Sequence, residues 1–111
     1  MSRDERGGHR GRHKDLQVCR QVFDALSLAL AEIDDPVIEQ LALISVEPAP
    51  SAARVVVTFA APDGCDAAAA LARVRELGAE LREEVAAEVH RARTPVLVFR
   101  IAPPALPAPT T

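Results

Sequence analysis

Residues Ala67–Ile101, AAAALARVRELGAELREEVAAEVHRARTPVLVFRI, decide the fold. The run opens as a helix: Asp66 ahead of it supplies an N-cap carboxylate, and Leu71 and Val74 fall on one inward face. Gly78 interrupts that helix, because glycine has the most backbone freedom to lose on becoming helical. Leu81, Val85, Ala86 and Val89 then give a second helix its apolar face. Thr94-Pro95 stops it, since the residue before a proline is pushed out of the α region. Val96–Ile101 (VLVFRI) has the β-branched and aromatic make-up of a strand. A helix, a break, a helix and a strand form a unit that needs a second layer to cover its apolar faces.

The chain upstream supplies that layer. Leu16, Cys19, Val22, Phe23, Leu26, Ala29, Leu30 and Ile33 recur at three- and four-residue steps and define one apolar helix face. With Asp15 as cap and Asp34-Asp35-Pro36 as stop, the first helix is expected over Asp15–Asp34. Leu41–Val46 (LALISV) and Arg54–Ala60 (RVVVTFA) read as strands, and the short Pro-containing link between them makes an antiparallel hairpin. The uninterrupted valines of the second strand suit a central position, buried on both faces. A crossover through two helices to the third strand is right-handed, which makes strands two and three parallel. The order α-β-β-α-α-β thus predicts a two-layer α+β domain, a three-stranded mixed sheet with helices on one side. Residues 14–101 form it. Residues 1–13 read as a basic flexible arm, either solvated or ordering on RNA. Residues 102–111 (APPALPAPTT) read as a Pro-rich disordered tail.

The 111 residues suffice for one domain, and 49% hydrophobic residues suffice for one core. With neither Trp nor Tyr, that core is built mainly from Leu, Val, Ile and Ala. No apolar run approaches the roughly 20 residues needed to span a bilayer. The opening MSRDERGGHRGRHKD is polar and basic, with no signal-peptide apolar region after it, so a soluble cytosolic protein is expected. Two cysteines, Cys19 and Cys65, make no disulfide framework and read as small hydrophobes.

A net charge of -3 argues by itself against nucleic acid, but the charge is unevenly spread. Residues 1–20 hold six cations against three acids, whereas residues 21–70 hold Arg54 against eight acids. Arg91, Arg93 and Arg100 lie in a stretch without acids. A basic margin beside an acidic body orients the molecule on a polyanion.

Nothing points to an enzyme. There is no nucleophile–base signature and no phosphate loop, and Glu83-Glu84 reads as a solvated face. No cofactor and no small-molecule substrate are expected. His9, His13 and Cys19 lack the fourth ligand of a closed metal site, and His90 is a lone helical histidine. A helix start entered through a glycine does offer free N–H groups to phosphate. In KH domains a glycine-containing link between two helices clamps single-stranded nucleic acid in this way. Alternatively, Gly78 simply lets two helices pack closely.

Residues Leu16–Ile101 resemble ribosome-binding factor A. The resemblance is carried by LQVCRQVFDALSLALAEIDDP, ISVEPAPSAARVVVTF and LGAELREEVAAEVHRARTPVLVFRI. The last segment is the most specific, with Gly78, Arg82 four residues on, and then Arg91, Arg93, Thr94, Pro95, Leu97 and Phe99. The resemblance implies a KH type II-like fold and binding to the small ribosomal subunit late in its assembly. It further implies help with maturation of the subunit's rRNA, without catalysis. The family's Ala-x-Gly junction reads Glu76-Leu77-Gly78 here, and a carboxylate beside a phosphate path is repulsive. The family's basic balance is also missing. RNA contact is therefore expected from Arg10, Arg12 and Lys14 of the arm and from Gly78, Arg82, Arg91, Arg93 and Arg100. Each arginine also has a plainer role. Arg82 could pair with helix-surface glutamates, and Arg91 and Arg93 fall in a last helical turn, where cations are favoured anyway. The expected partner is the small subunit with its rRNA, and the expected state is a monomer. The alternative is a protein-interaction or oligomerising α/β domain without RNA affinity.

Overall fold

The structure, a computed structural model, describes residues 3–89 and 94–102, with side chains from residue 14 onward. In chain order the elements are α1 (Arg3–Ala31), α2 (Pro36–Glu39), β1 (Ala42–Pro48), β2 (Arg54–Ala60), α3 (Ala67–Glu76), α4 (Gly78–Glu88) and β3 (Val96–Ile101). The sheet order is β1-β2-β3, with β1 antiparallel and β3 parallel to the central β2. This is the mixed sheet expected from the order of apolar runs. Helices cover the face carrying Val55, Val57, Phe59 and Phe99.

Alternation along the strands builds the core. Val57 pairs with Phe99 in the parallel register, so both point to the helical side. The Phe59 and Phe99 rings stack at 6.3 Å between centroids and 30° between planes. Val22 and Leu26 of α1, Val74 of α3, and Leu81 and Val85 of α4 close over them, all but fully buried. Leu16, expected on the apolar face of α1, is instead 55% exposed, and Ala25 takes a buried place that the periodicity had not given it.

Two boundaries differ from the sequence reading. The first helix starts at Arg3 rather than Asp15. Its opening turns carry no apolar face, so hydrophobic periodicity does not register them. Asp15 is no cap: its carboxylate accepts from the Ala52 N–H at 3.2 Å, tying α1 to the β1–β2 turn. At the other end, α1 stops at Ala31 and tightens through Glu32 N–H to Ala29 and Ile33 N–H to Leu30, both 3.2 Å. The Asp35-Pro36 pair read as a stop is also a start. Asp35 accepts from the amides of Val37 (2.9 Å) and Ile38 (3.2 Å), and Pro36 occupies the first turn, giving the one-turn α2. A single turn is too short to show a period. β1 is also bulged between Leu43 and Ser45, which leaves Ile44 about half exposed on a strand at the sheet edge.

Asp35 has a third partner: the Arg73 guanidinium of α3 donates to it from Nε at 2.7 Å. That bond, first, and the two capping amides hold the Asp35 carboxyl below its usual pKa. A carboxyl whose folded pKa is depressed contributes stability above its unfolded value and loses it as pH falls through the folded value. The stability difference between the protein and Asp35→Asn should therefore hold from neutral pH down to about pH 5. It should shrink as pH falls below the ordinary aspartate value of about 3.9. Urea midpoints across that range measure it, and a difference independent of pH would contradict the linkage.

Candidate nucleic-acid interface

The junction between α3 and α4 is made by Leu77. Its N–H donates to the carbonyls of Arg73 (3.2 Å) and Val74 (3.1 Å), closing α3, while its carbonyl accepts from Leu81 N–H at 2.9 Å, opening α4. Its backbone sits at φ -88°, ψ 0°, a bridge conformation that breaks the helical ladder. The Leu77 side chain is buried, which anchors the bend in the core. The bend thus lies one residue before the glycine, and Gly78 is the first residue of α4. No side chain caps this helix start, and a backbone N–H beyond Leu77 donates across the bend to the Arg75 carbonyl.

Gly78 does not adopt a left-handed backbone; Gly64 is the glycine with positive φ among the described residues. A Cβ added at Gly78 would meet Phe99 Cε2 at 3.5 Å, an ordinary van der Waals contact. Close helix packing therefore does not demand glycine here.

Beside this junction runs a groove of about 290 Å³ between α4 and β3. Gly78 and Ala79 give it a low floor, Val96, Leu97 and Phe99 an apolar wall, and Arg75 and Arg82 two cations. A second hollow of about 400 Å³ shares Ala79 and Arg82 with it and extends to Glu83, Ala86 and Thr94. Arg75, Gly78, Ala79, Arg82 and Ala86 follow a spacing of three, four, seven and eleven from the first, so one helical face continues across the bend. Among the described residues β3 is an edge strand, and backbone groups on its outer side have no ladder partner there.

The expected site residues fall out as follows. Gly78 and Arg82 line the groove. Arg82 is not paired with a glutamate among the described residues; its Nη2 donates to the Thr94 carbonyl at 3.3 Å, bridging α4 to the approach to β3. Arg91 and Arg93, like His90, lie outside the described residues. Arg10 and Arg12 belong to the α1 backbone, but their side chains are likewise outside the description. Lys14 is exposed on α1 and does not line the groove. Arg100 follows Phe99 and alternates to the sheet face away from the helices, so it is not part of the groove.

Arg75 is the residue the sequence reading missed. Three residues before Gly78, it was detectable by extending the face of α4 backwards through the break. Glu76, the feared repulsive charge, does not line the groove. Its carboxylate accepts from Arg73 Nη1 at 2.8 Å. The bonds to Asp35 and then to Glu76 raise the Arg73 pKa further, so it stays cationic. Burial, first, and the nearby Asp15 push up the Cys19 thiol, which fits a packing role. Among the described residues no group of three His, Cys, Asp or Glu could hold a metal, and no helix is long and apolar enough to cross a membrane.

The fold is similar to that of a known structure. The crystal structure of ribosome-binding factor A from Thermus thermophilus superposes with a TM-score of 0.67 at 21% identity. The match covers 77% of this chain and 92% of that one. The chain therefore has the ribosome-binding factor A fold. No protein-family model and no curated protein matches its sequence.

Since the fold does not need a bare backbone at Gly78, Gly78→Ala should be neutral or stabilising by up to about 1 kcal/mol through helix propensity. Thermal denaturation checks this. A loss of more than about 1 kcal/mol would show that the junction does require glycine.

Proposed function

We propose that this protein is a ribosome-associated factor that binds rRNA of the small subunit and assists its late maturation without catalysis. The observation that carries the reading is the α4–β3 groove. Two guanidinium groups, an uncapped helix start and a floor of Gly78 and Ala79 face one channel. Guanidinium groups suit phosphate, and the small residues let a backbone come close. The apolar wall of Val96 and Leu97 suits unstacked bases. The shared fold with ribosome-binding factor A supplies the ribosomal setting. Arg91 and Arg93, next in the chain to Thr94 at the groove's end, would extend the cationic margin, and Arg10, Arg12, Lys14 and Arg100 would contribute longer-range attraction. On this reading the protein works as a cytoplasmic monomer and needs no cofactor.

A second reading, a protein-binding module, draws on the net charge of -3 and on the free edge of β3. Complexes that survive RNase treatment would favour it.

Cosedimentation with small subunits across a salt series tests the first reading. Each phosphate contact to a single strand contributes about 0.7 to the slope of log affinity against log salt. Arg75→Ala/Arg82→Ala should weaken binding at low salt and flatten that slope by about 1.4. Binding whose slope ignores both substitutions would remove the groove from the interface.

A further inference from the structure

Glu76 is the anomaly of this surface, an acid beside the bend where a polyanion would pass. Its side chain is 64% exposed and engaged by one neighbour, Arg73, at 2.8 Å. Arg73 also holds Asp35 at 2.7 Å through Nε, so one guanidinium bridges the α2 cap and the end of α3. Within α3, Arg73 and Glu76 stand three residues apart on one face, turned toward α2. Arg75 is rotated by about 100° from Glu76 and lines the groove instead.

We infer that Arg73 is a positioning residue for RNA: by bridging Asp35 and Glu76 it keeps the Glu76 carboxylate off the groove and halves the charge of that acidic pair, leaving Arg75 and Arg82 to set the sign of the groove mouth. This rests on the RNA-binding reading above. The physical logic is one of geometry and screening. An exposed ion pair contributes little to stability. A carboxylate freed to swing within a Debye length of a phosphate path, about 8–10 Å, nonetheless repels every phosphate that passes. The bridge to Asp35 matters because it ties the Arg73 fork to a second element. That leaves Nη1 directed at Glu76 rather than free to follow the ligand.

The test is a charge cycle on the full chain, with affinity for a single-stranded RNA oligonucleotide read at low and high salt. Glu76→Gln alone should change affinity less than twofold, because the bridge already holds that carboxylate away from the groove. Arg73→Gln should weaken binding about threefold or more at low salt and much less at high salt. Arg73→Gln/Glu76→Gln should return to within about twofold of the parent, and Arg73→Lys, which keeps the charge, should retain most of the affinity. Glu76→Gln is an exposed substitution that leaves the fold intact, so it carries the test even if Arg73→Gln does not fold. Binding strengthened threefold or more by Glu76→Gln in the parent, or an equal effect of Glu76→Gln with and without Arg73, would overturn the inference. If Arg75→Ala/Arg82→Ala still lowers the salt slope in those cases, the inference fails and the RNA reading stands. A parent chain that binds RNA without salt dependence would overturn both.

Discussion

The buried Leu77 side chain is the constraint on which the functional surface depends. Its backbone ends one helix and starts the next, and its side chain is held by the core that Phe59, Phe99 and α1 share. Because that anchor is apolar, the start of α4 has no capping side chain. Because Gly78 and Ala79 come next, nothing bulky fills the space between α4 and β3. Burial at one position thus yields both a helix terminus without a cap and a channel beside it. Gly78, the residue that draws the eye in the sequence, follows the bend and does not cause it.

Electrostatics works against the overall charge rather than with it. The chain carries -3, yet the groove holds two guanidinium groups, with Glu83 at its far end. Two acids near the bend are engaged, since Asp35 caps α2 and receives Arg73, and Glu76 receives Arg73 as well, while Glu80 in the first turn of α4 does not line the groove. Local arrangement decides what a phosphate would meet over the few ångströms where contact is made, and the net charge acts only over longer, screened distances.

Much of this was legible in the sequence, where side-chain periodicity and proline punctuation are direct consequences of geometry. The valine run of β2, the crossover to β3 and the helix pair around residue 78 all stand in the structure in the order expected. What escaped were features without a period. α2 is one turn long, the bulge at Ile44 is a single extra residue, and the opening of α1 has no apolar face. Asp15 and Asp35 show a further limit. Sequence treats an acid near a helix end as a cap, but only packing reveals whether its carboxylate turns to its own helix or across to Ala52 or Arg73. At the site, Gly78 and Arg82 were legible by resemblance, whereas Arg75 and the Arg73 bridge emerge only from three-dimensional neighbours.

The central claim is that the channel between α4 and β3 is where RNA is held. Backbone amide chemical shifts followed during titration with a single-stranded RNA test it most directly. The account predicts that the largest changes fall on Gly78, Ala79, Arg82 and Ala86 and, across the channel, on Val96 and Leu97. Changes confined to the helix-free sheet face around Arg54, Val56 and Arg100, with the channel silent, would contradict it.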